Sequence, residues 1–171
     1  MNTSTLKFIT GILNDTLRID FHYYLYPYHD LATFDRGFRN SLEDSEQHHQ
    51  DFLQRIQTLH PETIYLYTDS YSLNYAILLP YAEKKDLIVV GPYFENPIDQ
   101  TYWNQITLQH HLTLRHIDNL KGFLYSIPVI DNNLTVISTI TDILTYINPE
   151  SEAFSLEYIG SSSIDKSIAS D

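Results

Sequence analysis

The chain contains no cysteine, which excludes disulfide cross-links, thiolate metal ligands and thiol catalysis from the outset. Basic residues are scarce: ten lysines and arginines stand against 22 aspartates and glutamates, a formal net charge of -12. Proteins grip a phosphate backbone by letting Lys and Arg displace condensed counterions, and here those residues are scattered, with only Lys84 and Lys85 adjacent. The same deficit repels anionic lipid headgroups, and no polybasic amphipathic segment reverses it. Five glycines spread along the chain leave no pair close enough for a phosphate-cradling loop. No apolar run approaches the roughly 20 residues that cross a bilayer, and Met1 to Thr10 lacks the charged start and apolar core of a secretion signal. Nucleic-acid binding through this chain and membrane association are therefore not expected, and the expected location is the cytoplasm.

What is present is enough apolar material for one folded core. Hydrophobic residues make up 43% of the 171 and charged residues 19%, so burial can offset the entropy of ordering. Tyrosine is abundant, with fourteen copies. Its ring covers apolar surface while its hydroxyl keeps a polar contact, which suits cores, half-buried walls and interfaces alike.

Periodicity divides the chain into alternating elements. Leu6, Ile9, Ile12 and Leu13 fall at helical spacing and predict a helix over 4 to 14, capped by one of Thr3, Ser4 or Thr5. From Leu17 to Tyr26 the period becomes two, predicting a strand stopped by Pro27. Residues 28 to 40 read as irregular, and Leu42 to Leu59 as a helix ending before Pro61. Ile64 to Leu79 predicts a hairpin turning at Thr68-Asp69-Ser70, followed by a third strand, Leu87 to Val90, that Gly91 and Pro92 bring to an end. Helices are predicted over Ile98 to Leu108, Leu114 to Leu124 and Leu134 to Ile147, the last capped by Asn132 or Asn133. Residues 149 to 171 read as a serine-rich linker or tail, in which Phe154 to Ile159 is an extended segment able to dock.

Two short motifs stand out: Leu87-Ile88-Val89-Val90-Gly91-Pro92-Tyr93 after the hairpin, and Tyr125-Ser126-Ile127-Pro128-Val129-Ile130 leading into the last long helix. In this combination the chain resembles the N-terminal regulatory half of AraC-family transcriptional regulators of the Gram-positive type, over residues 5 to 148. The resemblance implies an α+β sensor domain of the PAS or GAF kind, an antiparallel sheet flanked by helices. A pair of helix-turn-helix units beyond the linker would make the DNA contact. A sheet with helices on one side can hold a cavity in which a small-molecule or protein effector stabilises one arrangement over another.

Candidate residues follow from the faces. Tyr65 and Tyr67 share one face of their strand, and together with Tyr75 and Trp103 they are the candidate ligand-binding set; a partly exposed sheet face or a dimer contact is the plainer reading. Leu134, Ile137 and Leu144 lie on a stripe suited either to the core or to a two-fold partner, and are the candidate dimerisation residues. The eight histidines do not have metal-ligand spacing: His48-His49 and His110-His111 diverge by about 100° on a helix, and His111 to His116 is five apart. Glu43, Asp44 and Glu46 crowd a helix start, where they favour its dipole. No serine sits in a nucleophile elbow. The expected function is regulatory, without catalysis, metal or cofactor. The alternative is a small protein-interaction domain with no small-molecule effector.

Overall fold

The computed structural model describes residues 1–42, 44–150 and 154–160. Helix α1 spans Thr3–Leu17, and its cap is Asn2, whose Oδ1 accepts from the Thr5 amide at 2.7 Å, one residue before the predicted caps. Arg18 closes it in the left-handed region at φ 57°. The strand β1 is consequently shorter than its alternation suggested, Asp20–Tyr24, because Leu17 is taken into the helix. Two short 3-10 turns, Leu31–Thr33 and Arg39–Ser41, lie in the segment read as irregular, before α2, Ser45–Ile56.

The hairpin forms as expected: β2, Thr63–Thr68, pairs antiparallel with β3, Asn74–Leu78. Its turn is held by Asp69, whose Oδ1 accepts from the amides of Tyr71 and Leu73, both at 2.9 Å. Strand β4, Leu87–Tyr93, pairs antiparallel with β3 and on its other side with β1. Contrary to expectation, β4 is not stopped at Gly91-Pro92. Gly91 takes φ +142° where the β3 register shifts between Asn74 and Ala76, so the ladder bulges and resumes at the Asn74 and Tyr93 pair. A Cβ there would lie 2.7 Å from the Asn74 carbonyl oxygen, and glycine is what lets the strands approach.

Helices α3, Gln100–His110, α4, Leu114–Ser126, and α5, Asn133–Ile147, match the predicted apolar repeats. Each has a side-chain cap: Asp99 accepts from the Tyr102 amide, Thr113 and His116 form a reciprocal box, and Asn132 accepts from the Leu134 amide. The last strand, β5, Ser155–Ile159, pairs parallel with β2. The extended segment thus docks, and the sheet continues past residue 148.

The result is an α+β fold around an open five-stranded sheet in the order β1-β4-β3-β2-β5. The sheet is mixed, not antiparallel throughout, because β5 reaches β2 only after a long crossover carrying α5. Nor are the helices confined to one side. Ile9 and Leu13 of α1 pack with Val136, Ile140 and Leu144 of α5 on one face, while Phe52, Trp103, Ile106, Leu120 and Leu124 of α2, α3 and α4 cover the other. Every residue of β3 and β4 is buried, as central strands covered twice must be. Among the described residues no helix is long and apolar enough to cross a membrane.

Candidate functional site

The face under α2, α3 and α4 is lined with aromatic rings and encloses a buried charge network. Phe34 stacks on Phe52 at 4.4 Å between centroids and meets Tyr75 edge-on at 5.2 Å. Over these rings lies the Arg39 guanidinium, 4.6 Å from the Phe34 centroid and 5.5 Å from that of Tyr75. Its Nη1 donates to Asp35 Oδ2 at 2.7 Å, and its Nη2 stands 3.7 Å from Asp69 Oδ2. Asp35 also accepts from the Gly37 and Arg39 amides, which fixes the 3-10 turn that carries the arginine. Arg39, Asp35 and Asp69 are all buried, so one ionic cluster ties the 28–42 segment to the β2–β3 turn.

Burial dominates the ionisation of this cluster. It opposes the Arg39 charge, but Tyr75, Asp69, Tyr67 and Asp35 outweigh it and hold the guanidinium protonated, above its usual range. Burial raises the Asp69 carboxyl, against the pull of Arg39 and of the two turn amides. Burial likewise drives the hydroxyls of Tyr67 and Tyr75 upward, against the pull of Arg39. Among the described residues the Tyr75 hydroxyl, Arg39 Nη2 and Ser70 Oγ make no well-formed hydrogen bond, although Arg39 lies close enough to Tyr75 and Tyr67 to favour their ionised forms.

Next to this cluster two neighbouring clefts open, each about 580 Å³, the first where the β2–β3 turn meets the junction of α3 and α4 and the second between α2 and the end of α3. They share Asp44, Gln109 and His110. His110 is fixed from two sides: its ring stacks on Tyr71 at 4.0 Å with 7° between planes, and its Nε2 lies 3.1 Å from the Ser70 carbonyl oxygen. Asp44 Oδ1 lies 3.0 Å from His48 Nε2 one helical turn away. Leu42, Leu112 and Leu120 supply the apolar part of the first cleft, and His116 and Asn119 part of its polar rim. Such a wall can bind an uncharged or weakly charged polar molecule by hydrogen bonds. Among the described residues no three His, Cys, Asp or Glu side chains are grouped to hold a metal ion.

The four candidate ligand residues are all largely buried: Tyr65 at 3% exposure, Tyr67 at 7%, Tyr75 at 0% and Trp103 at 8%. Tyr65 accepts from the His60 amide at 2.8 Å, Tyr67 borders the second cleft beside Ser70, and Tyr75 sits in the floor under Arg39. Trp103 belongs to a separate group, donating to the Tyr125 hydroxyl at 3.0 Å and packing edge-on against Tyr102. Of the candidate dimerisation residues, Leu144 is buried in the core between α5 and the sheet, Ile137 is half-buried against it, and Leu134 is exposed. Residues that line the clefts, Asp44, His110, His116 and Asn119, were not singled out as a group by sequence reasoning. The available signal was the Thr68-Asp69-Ser70 turn facing a helix that ends in two histidines.

Comparison with models of known protein families, with curated proteins and with solved structures finds no match for this chain.

Proposed function

We propose that the chain is a signal-sensing domain of an AraC-type transcriptional regulator, PAS- or GAF-like in its use of a central sheet, and that it acts without chemistry of its own. One observation carries the proposal. The two motifs on which the resemblance rests are neighbours in space: the Phe94 amide, just past Gly91-Pro92-Tyr93, donates to the Pro128 carbonyl at 2.9 Å, and the Ile130 amide donates back to Phe94 at 2.7 Å. This short parallel bridge couples the sheet to the start of α5, whose Asn133 accepts from the Tyr93 hydroxyl at 2.7 Å. An occupant of the first cleft, which α4 lines through His116, Asn119 and Leu120, would shift α4, and α4 leads through Pro128 into α5. In this reading the effector is a small polar molecule in that cleft, the signal leaves through α5, and DNA contact belongs to residues other than these, as the net charge of -12 favours.

Native mass spectrometry of the protein from its own host tests this. The expected result is a retained small molecule whose mass is lost in Asn119→Trp, a substitution at an exposed wall position that fills the cleft. A chain recovered bare, or with a partner protein and no small molecule, favours the interaction-domain alternative.

A further inference from the structure

A second groove, about 460 Å³, lies between the C-terminal half of α2, the loop after β1 and the end of β3, away from the clefts described above. Its floor is aliphatic, with Ile56 and Leu59 buried and Leu53 and Leu79 half-buried, and Tyr26 and Tyr28 stand at its side. Lys85 lines the same groove and is exposed. The Lys85 ammonium rests 5.3 Å from the Tyr26 ring centroid and forms no ion pair among the described residues. The adjacent carboxylate does not neutralise it. Asp86 is buried and turned inward, accepting from the Tyr23 hydroxyl at 2.6 Å and from the Tyr26 amide at 3.5 Å. The position of Lys85 is built in, because the Tyr28 hydroxyl donates to its carbonyl oxygen.

We propose that this groove binds an amphipathic monocarboxylate, with its apolar tail on the Leu53, Ile56, Leu59 and Leu79 floor and its carboxylate paired with Lys85. The groove is of the size that encloses small molecules, whose pockets run from about 300 to 1,000 Å³. An aliphatic floor gains nothing from a polyhydroxylated body and gains from every methylene it covers. A single ammonium meets a single carboxylate, whereas phosphate groups call for the forked donors of arginine, and no arginine lines this groove. The acidic surface opposes anions at a distance, but that field is screened within about 8 Å at physiological ionic strength, so the contact pair decides.

Isothermal titration of the full chain with octanoate, octanol and octylamine tests the assignment. Octanoate should bind at least tenfold more tightly than octanol, with octylamine weakest. Lys85→Met should remove the preference for octanoate, leaving octanol binding unchanged, and its unaltered circular dichroism would show the fold intact. Gln57→Trp, at the exposed side of the groove, should weaken both octanoate and octanol, while Asn119→Trp should change neither. Equal binding of octanoate and octanol to the unmodified chain, or a Lys85→Met variant that still prefers octanoate, overturns the proposal, as does an absence of octanoate binding at millimolar concentration. The groove and the clefts are separate, so this outcome is independent of the regulatory reading.

Discussion

The two faces of the central sheet are built from different materials. Beneath α1 and α5 the buried side chains are mostly branched aliphatics, among them Ile9, Leu13, Ile64, Leu66, Ile88, Val90, Ile140 and Leu144. Beneath α2, α3 and α4 aromatic rings make up about half of them, among them Phe34, Phe38, Phe52, Tyr65, Tyr67, Tyr71, Tyr75 and Trp103, with Arg39, Asp35 and Asp69 also buried there. Branched aliphatics interdigitate without polar obligations and give dense packing. Rings and buried charges demand particular geometries and partners, and a surface made of them leaves concavities at its margin. One sheet therefore carries an aliphatic face and a face rich in rings and buried charge, and the clefts near His110 and the groove beside Lys85 are both bordered by elements that pack on the second.

The sharpest break in this comparison is expected at Arg39. Arg39→Met leaves Asp35 and Asp69 buried without their counter-charge and should cost about 3–5 kcal/mol in urea unfolding, the usual penalty for stripping one partner from a buried ion pair. The deficit should grow with pH. Asp69 without Arg39 has a folded-state pKa raised further above its unfolded value, so the folded state binds the extra proton and loses stability as pH rises through that window. Restoring neutrality with Arg39→Met, Asp35→Asn and Asp69→Asn together should recover most of the loss; a single-variant cost below about 1 kcal/mol would show that the cluster is solvated and the comparison misplaced.

On the aliphatic face, Leu144→Ala should cost about 3 kcal/mol by opening a cavity, with no charge and hence no special pH dependence. Leu134→Ala, ten residues earlier on the same helix and exposed, should change stability by less than about 0.5 kcal/mol. Sedimentation of the two variants separates core from contact: a dimer dissociated by Leu134→Ala alone would make the outer side of α5 a two-fold interface. On the aromatic face, Tyr75→Phe removes a single buried atom. Its hydroxyl is buried beside the Arg39 guanidinium without a well-formed hydrogen bond among the described residues, so removing it should leave stability within about 1 kcal/mol or raise it. A loss of 2 kcal/mol or more would mean that the hydroxyl is tied to Arg39.

Much of the scaffold was legible because it rests on local chemistry. The α5 repeat through Ile140 and Leu144, its cap at Asn132, and the hairpin turning at Asp69 are all set by side chains within a few residues of one another, although the buried stripe runs through Val136 and leaves the predicted Leu134 exposed. The face that carries the buried charges was far less readable. Asp35 and Arg39 sit one turn apart in a segment without periodicity, and Asp69 joins them only because the β2–β3 turn folds beneath that segment. The tyrosines were correctly placed on shared strand faces, yet the rings that α2, α3 and the 28–42 segment lay over them removed them from open walls and moved the concavities outward to His110 and Asn119. The strand through Gly91 was misjudged for a related reason: a bulge lets a glycine remain in a ladder, and it is defined only by the pairing with β3, where Gly91 and Pro92 together lie opposite Tyr75.

Composition and spacing alone fixed the α+β character, the positions of nearly every helix and strand, and an acidity unsuited to phosphate backbones, since these depend on residue type and on periods of two or of three to four. Which face each helix covers, the parallel docking of β5 beside β2, and the burial of one arginine between two aspartates were decided by tertiary structure. Those features join residues far apart along the chain, and only the mutual exclusion of water by packed layers brings them together.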